Sequence, residues 1–255
     1  MLLLILALTS GWNLSFPGSN DGFLEPRLFF QPDEDQFIYT EIQNQVSILK
    51  YGPITFGVGL SMDTFMGTSS KESDIAFNVY GGHWNIRGFF GVDYRDMLFS
   101  LFTDHECFHN IDMADTSGQY MNNLKLGVEN HIDIRMEDRA IFMPAGPIPD
   151  YRASLGFYRP TGATFQKGHL FDWSLHGNID YPFLSASEMI YGTIWHSDFY
   201  LHLDGASSSR HFGEIYGKHR SNQGDIVIFF RHYLHDTQPI RSLSGETCFG
   251  MRFEW

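Results

Sequence analysis

The sequence predicts an all-β fold, namely an antiparallel up-and-down transmembrane β-barrel of about twelve strands, with ten to fourteen also possible. Three observations predict it. Apolar and polar residues alternate along many segments of the chain. Several of these segments reach about ten residues or more, which suits a tilted membrane crossing. Short turns also coexist with long polar segments, as in outer-membrane barrels.

Two consecutive segments give the clearest strands. In residues 54–62, Ile54, Phe56 and Val58 alternate with small or polar residues, so one face of the strand is apolar and the other is not. Residues 42–49 alternate in the same way, and the sequence Tyr-Gly-Pro at 51–53 predicts a tight turn between the two. These segments therefore predict a β-hairpin.

The same alternation predicts further strands at residues 124–136, 171–181, 189–203, 226–234 and 247–255. The parity of the apolar positions changes at Gly81 and Gly82, which predicts either a turn or a β-bulge there. Short turns are predicted at residues 51–53 and 137–139, and long polar segments at 64–73, 110–119 and 235–245. A soluble sandwich would bury its apolar faces, whereas a barrel would turn them towards lipid.

The last strand favours the barrel most specifically. Its apolar face consists of Thr247, Phe249, Met251, Phe253 and Trp255. It resembles the terminal strand by which bacterial outer-membrane barrels are recognised for assembly. The partners that this resemblance implies are the barrel-assembly machinery, through Phe249, Met251, Phe253 and Trp255, and the lipids of the bacterial outer membrane.

Composition and charge restrict the classes of partner and the compartment. The chain has 255 residues, 43% of them hydrophobic, and a formal net charge of -13. Scattered basic residues in so acidic a chain argue against nucleic acid as a partner. Residues 1–20 are predicted to be a signal peptide, residues 21–36 an N-terminal periplasmic segment, and residues 37–255 the barrel. Beyond the apolar N-terminal run, no segment approaches the roughly 18 apolar residues of a membrane-spanning helix.

The two cysteines, Cys107 and Cys248, are too few for a disulfide framework, and the sequence leaves open whether they pair.

Aromatic residues near the predicted strand ends are expected to form interfacial girdles; they are Trp84, Tyr94, Trp173, Trp195, Phe253 and Trp255. Four histidines that alternate with apolar positions are expected to lie in the lumen or at the rim, namely His131, His176, His196 and His232.

The segment TDHECFH at residues 103–109 contains the His-Glu-x-x-His pattern of zinc metalloproteases, which functions on a helix. Here an alternating segment leads directly into His105. If that strand continues, His105 and His109 are about 13 Å apart, which is too far for both to bind one zinc ion. The metal candidates are His105, Glu106 and His109, and no cofactor is predicted.

The longer segment LFSLFTDHECFHNID resembles the signature of an uncharacterised family of bacterial outer-membrane barrels, in which a strand leads into His-x-Ser-x-His-x-x-Asp. The matching residues are His105, His109 and Asp112. Cys107 stands where that family has serine, and Asn110 and Ile111 replace a Leu-Gly-like pair. The resemblance implies an outer-membrane barrel and brings no established activity.

Two interpretations of this segment follow. Asp104, His105, Glu106, His109 and Asp112 form either a polar cluster at the barrel mouth that binds a metal, a sugar or a lipid headgroup, or a hydrogen-bonded network that packs the lumen. The candidate catalytic residues are His105, His109, Asp112 and Cys107.

The sequence favours a non-enzymatic outer-membrane barrel that acts as a narrow channel, an envelope-organising protein or a ligand-binding protein. One alternative is an outer-membrane lipid-modifying hydrolase with His105 as base, in which Cys107 would be a thiol nucleophile. The other is a soluble periplasmic β domain.

Overall fold

The structure is a computed structural model that describes residues 14–16, 20–30, 36–67, 78–95, 97–110, 119–130, 149–159, 171–237 and 242–255. Its strands are β1 (Leu14–Ser15), β2 (Asn20–Phe29), β3 (Gln36–Tyr51), β4 (Ile54–Gly67), β5 (Asn78–Tyr94), β6 (Met97–Asn110), β7 (Gln119–Asn130), β8 (Asp150–Arg159), β9 (Phe171–Ala186), β10 (Met189–His202), β11 (Ser207–His219), β12 (Asp225–Asp236) and β13 (Thr247–Glu254).

Strands β2 to β13 form a closed barrel of twelve antiparallel strands. Each strand pairs with the next in the chain, and β13 pairs with β2, where Glu254 lies opposite Phe23. The short β1 pairs with the end of β3. The predicted fold class and strand number are therefore confirmed.

The start of β2 and the last residue of the chain, Trp255, lie at the same end of the barrel, which we call the terminal end. There the Gly22 amide donates a hydrogen bond to the Trp255 carbonyl over 3.1 Å. Two-residue turns close hairpins at this end, as predicted for the turn between β3 and β4, where Gly52 adopts a φ of 57°. We call the opposite end the loop end.

The apolar faces of the strands point out of the barrel. On β4, Phe56, Val58 and Leu60 are exposed, while Gly57 between them is buried in the lumen. Strand alternation continues this arrangement around the wall, so an apolar belt surrounds an interior that is rich in charged groups. Such a surface belongs to a transmembrane barrel and not to a soluble sandwich with a closed apolar core.

The structure decides three features that the sequence predicted or left open. Residues 21–36 were predicted to be a periplasmic segment, but β2 is a barrel strand that pairs with β3 and β13, so the barrel already begins at Asn20. The parity change at Gly81 and Gly82 is a bulge, because β5 continues through it and the register with β4 skips residue 80. The predicted strand at 124–136 is observed as far as Asn130, and the predicted turn at 137–139 lies outside the described residues.

Five of the six aromatic residues predicted to form girdles are exposed, namely Trp84, Tyr94, Trp195, Phe253 and Trp255. Trp195 lies near the middle of β10 and not near a strand end, which differs from the prediction. Trp173 is half-buried. In the described part of the chain, no helix has the length and apolar character to span a membrane.

Candidate functional site

Most of the buried polar side chains face the lumen, and three clusters among them have the most ion pairs and hydrogen bonds. We call the first cluster the ion layer; its members are Glu25, Arg27, Glu41, Glu214, Arg231 and Arg252. They come from β2, β3, β11, β12 and β13 and occupy inward positions of the alternating strands. Arg231 Nη2 lies 2.5 Å from Glu214 Oε2 and 3.0 Å from Glu25 Oε1.

Charge in the ion layer is balanced, with three carboxylates facing three guanidinium groups. Glu25 and Glu214 are each only 1% exposed. Arg252 contacts both of these carboxylates, and Arg231 lies over the Phe212 ring at 4.3 Å from its centroid. Because an isolated buried charge is costly, these pairs have to form together when the barrel closes.

The second cluster lies on β5, β6 and β7. Lys125 Nζ is 2.7 Å from Glu106 Oε1 and 3.2 Å from Asp104 Oδ2, and all three side chains are buried. Arg87 adds a bidentate contact to Asp104, with distances of 2.7 and 3.0 Å. Asn123 donates a hydrogen bond of 2.8 Å to Glu106.

The third cluster joins β9 and β10 through three side chains in line. Ser174 Oγ lies 2.8 Å from His176 Nε2, and His176 Nδ1 lies 2.7 Å from Asp198 Oδ1. His196 Nε2 lies 2.9 Å from the second carboxylate oxygen of Asp198. The register explains this arrangement, because His176 and Asp198 are directly paired and Ser174 is two residues along the same face of β9.

The residues singled out in the sequence are not brought into one cluster. Strand β6 continues to Asn110, so Asp104 and Glu106 point into the lumen while His105 is exposed on the outer face. His109 is also part of this strand, four residues beyond His105, and the strand rise puts their backbones about 13 Å apart. Asp112 lies outside the described residues.

The two cysteines are on different sides of the wall. Cys107 shares the outer face of β6 with His105, whereas Cys248 is fully buried in the lumen. Both are free thiols. Among the described residues, no group of three or more histidine, cysteine, aspartate or glutamate side chains is arranged to hold a metal ion.

The sequence placed four histidines in the lumen or at the rim. His176 and His196 face the lumen, whereas His232 is exposed on the outer face of β12, and His131 lies outside the described residues. Sequence reasoning did not identify Ser174 or Asp198. The Ser-x-His pattern of β9 shows that two side chains share a face, but the carboxylate comes from the next strand. Only the register between β9 and β10 brings Asp198 opposite His176.

A closed twelve-stranded antiparallel barrel with an apolar outer belt and an ion-paired lumen defines the class of transmembrane β-barrels of the outer-membrane type. Solved structures of this class are similar to the chain in fold. Escherichia coli outer membrane phospholipase A superposes with a TM-score of 0.51 at 6% sequence identity, covering 92% of this chain and 89% of that one.

Two further forms of that enzyme give comparable values. An active-site mutant of the Escherichia coli protein has a TM-score of 0.52 at 7% identity, over 94% of this chain and 91% of that one. The calcium-bound dimer from Salmonella typhi has a TM-score of 0.50 at 8% identity, over 92% and 89%. Such low identities establish the fold alone. No family model and no curated protein sequence matches the chain, so the family resemblance of the His105 segment stays a prediction.

Proposed function

We propose that this chain is a bacterial outer-membrane barrel with a closed lumen, which serves the envelope through its lipid-facing surface and its loop end rather than by passing solutes. The observation that carries the proposal is the burial of the ion layer. Charged groups that line a water-filled pore stay hydrated, whereas Glu25, Arg27 and Glu214 are almost completely buried.

Opening this lumen would require breaking ion pairs that extend across five strands. Arg231 on β12 reaches Glu25 on β2, and Arg252 on β13 reaches Glu214 on β11, so each pair passes over an intervening strand. Removing one partner of a buried pair costs about 3–5 kcal/mol, because the other charge is then left buried without compensation. The layer therefore favours a closed barrel over a narrow channel.

Conductance across planar bilayers and sugar-driven swelling of proteoliposomes test this proposal. The wild-type barrel is expected to give neither a steady current nor swelling. The double variant Glu25→Ala with Arg252→Ala removes one pair from the ion layer and is expected to leak. The control is Lys50→Ala with Asp93→Ala, a half-exposed pair with an Nζ to Oδ2 distance of 3.3 Å. Steady conductance by the wild-type barrel would overturn the proposal.

The outer surface is proposed to contact outer-membrane lipid, and β13 to be the strand that the barrel-assembly machinery recognises. Supporting this, Phe253 and Trp255 are exposed on the outer surface of the strand that closes the barrel against β2. Phe253→Ala and Trp255→Ala should slow assembly into vesicles that contain the reconstituted machinery. Phe230→Ala, an exposed aromatic of β12, is the matched control. Equal slowing by all three variants would contradict recognition through β13.

A second candidate function is an outer-membrane lipid hydrolase that uses His105. The observation in its favour is that His105 and Cys107 share the lipid-facing side of β6, where a lipid ester would lie. Escherichia coli outer membrane phospholipase A, a phospholipase by its name, also has a similar fold. Phospholipid hydrolysis by the wild type, lost in His105→Ala and Cys107→Ala but kept in the outward-facing control His232→Ala, would support it. Absence of turnover by the wild type would eliminate it.

A further inference from the structure

We propose that the lumen contains a serine hydrolase site in which Ser174 is the nucleophile, His176 is the base, and Asp198 is the residue that positions His176. This inference concerns a different place from the His105 segment and does not depend on the closed ion layer. It assigns an enzymatic activity to a chain whose sequence favours a non-enzymatic role.

The two short contacts that join Ser174, His176 and Asp198 in one line carry the inference. An ionised carboxylate only accepts hydrogen bonds, so the His176 Nδ1 atom that lies 2.7 Å from Asp198 carries a proton. With that proton on Nδ1, the Nε2 atom can act as an acceptor, and it faces the Ser174 hydroxyl at 2.8 Å. This is the arrangement in which a histidine removes the proton of an attacking serine.

The carboxylate of Asp198 is itself held in place. Its second oxygen lies 2.9 Å from His196 Nε2, and the His196 ring stacks on Phe212 with centroids 4.6 Å apart. The carboxylate therefore has little freedom to turn away from His176. Such a third group, which orients the base, distinguishes a hydrolytic site from an isolated Ser-His contact.

The same barrel contains an isolated Ser-His contact for comparison. Ser197 Oγ lies 2.6 Å from His211 Nδ1 on the outward side of β10 and β11. The His211 ring stacks on the His235 ring, with centroids 6.0 Å apart. Within the described part of the chain, no carboxylate is paired with His211. Ser197 is therefore a matched control for Ser174.

The surroundings of Ser174 define the class of substrate. The side chain has no exposed surface, the Tyr158 hydroxyl lies 3.4 Å from its oxygen, and the rings of Phe171 and Tyr200 pack against the Tyr158 ring. Phe171 is the first residue of β9, so the site lies near the loop end of the lumen. These rings must move aside for an ester to enter, which restricts the site to short-chain, uncharged esters.

The reaction proceeds in two steps. Ser174 Oγ forms a bond to the ester carbonyl carbon, its proton passes to His176 Nε2, and the bond to the alcohol oxygen breaks as that oxygen takes the proton. Water then attacks the acyl group on Ser174, with His176 accepting the proton of the water and returning it to Ser174. The products are an acid and an alcohol, and no other reactant is needed.

The full chain, purified in detergent, is treated with a fluorophosphonate probe and digested for peptide mass mapping. Ser174 is expected to displace fluoride and retain the phosphonyl group, and the protein is expected to hydrolyse p-nitrophenyl acetate. Ser174→Ala should lose both reactions, whereas Ser197→Ala should keep both. Asp198→Asn should slow labelling by about 100-fold or more, because the wrong imidazole tautomer is then held.

Heat-modifiable gel migration shows which variants are folded, and rates are compared per folded molecule. A merely structural Asp198 would lower the folded fraction without changing the labelling rate of the folded protein. An unlabelled wild-type protein, labelling that persists in Ser174→Ala, or an unchanged rate in folded Asp198→Asn would each overturn the proposal.

Discussion

His105 and Glu106 are adjacent in the chain and lie on opposite sides of the barrel wall. The carboxylate of Glu106 is buried in the lumen 2.7 Å from Lys125 Nζ, whereas the His105 side chain is exposed on the outer face of β6. Strand alternation imposes this separation, because successive side chains point to opposite faces. The sequence motif therefore supplies one residue to lumen packing and the other to the lipid-facing surface.

Replacing each of these two residues by alanine should have very different effects on stability. Glu106→Ala removes a buried partner of Lys125 and Asn123 and should lower the free energy of unfolding by about 3 kcal/mol. His105→Ala should change it by about 0.5 kcal/mol or less, as is usual for exposed positions. Urea unfolding of both variants in the same detergent measures the difference. Equal losses would contradict the two-sided arrangement.

The fold was predictable because alternation along a strand is a local property. The apolar positions of residues 54–62 indicate which side chains share the apolar face of β4, and in the barrel this face points outwards, with Phe56, Val58 and Leu60 exposed. The repeated pattern and the aromatic last strand then indicated a barrel. Alternation does not reveal which residue of another strand an inward-facing side chain contacts.

The lumen clusters depend on that missing information. Ser174 and His176 share a face of β9 by parity, but the pairing of His176 with Asp198 depends on a register that two bulges in β9 also shift. In the same way, the contact between Glu25 and Arg231 joins residues about 200 positions apart in sequence. The sequence therefore predicts a polar lumen but not which groups meet in it.

The two cysteines are predicted to differ in reactivity. Cys107 is half-buried on the outer face, whereas Cys248 has no exposed surface. N-Ethylmaleimide should therefore modify only Cys107 in the folded barrel and both thiols after unfolding. Intact mass measurement counts the adducts, with Cys107→Ser and Cys248→Ser assigning them. A disulfide between the two, seen as a mass change on reduction, would be inconsistent with their opposite positions.

Gly250 faces the lumen and Gly213 faces outwards, so Gly213 is the control for overpacking of the lumen at Gly250. A Cβ atom at Gly250 would overlap the Phe229 ring, whereas a Cβ atom at Gly213 would meet nothing within 4 Å. Gly250→Ala should therefore lower the free energy of unfolding by about 1–3 kcal/mol through overpacking. Gly213→Ala should be neutral or slightly stabilising, since alanine loses less backbone freedom on folding. Urea unfolding measures both, and a tolerated Gly250→Ala would indicate a lumen looser than the structure shows.

A charge placed on the outer belt tests the membrane location of this surface. Leu60 is 54% exposed on the outer face of β4 and lies near the middle of that strand. In a bilayer, Leu60→Arg should destabilise the folded barrel by about 2–4 kcal/mol, because the guanidinium group would have to enter the hydrocarbon. Gln223→Arg, in an exposed turn at the terminal end, places the same group in water and should be nearly neutral. Folding into phospholipid vesicles across a urea series measures both variants. If Leu60→Arg folded as well as Gln223→Arg, the surface around Leu60 would be in contact with water and not with lipid.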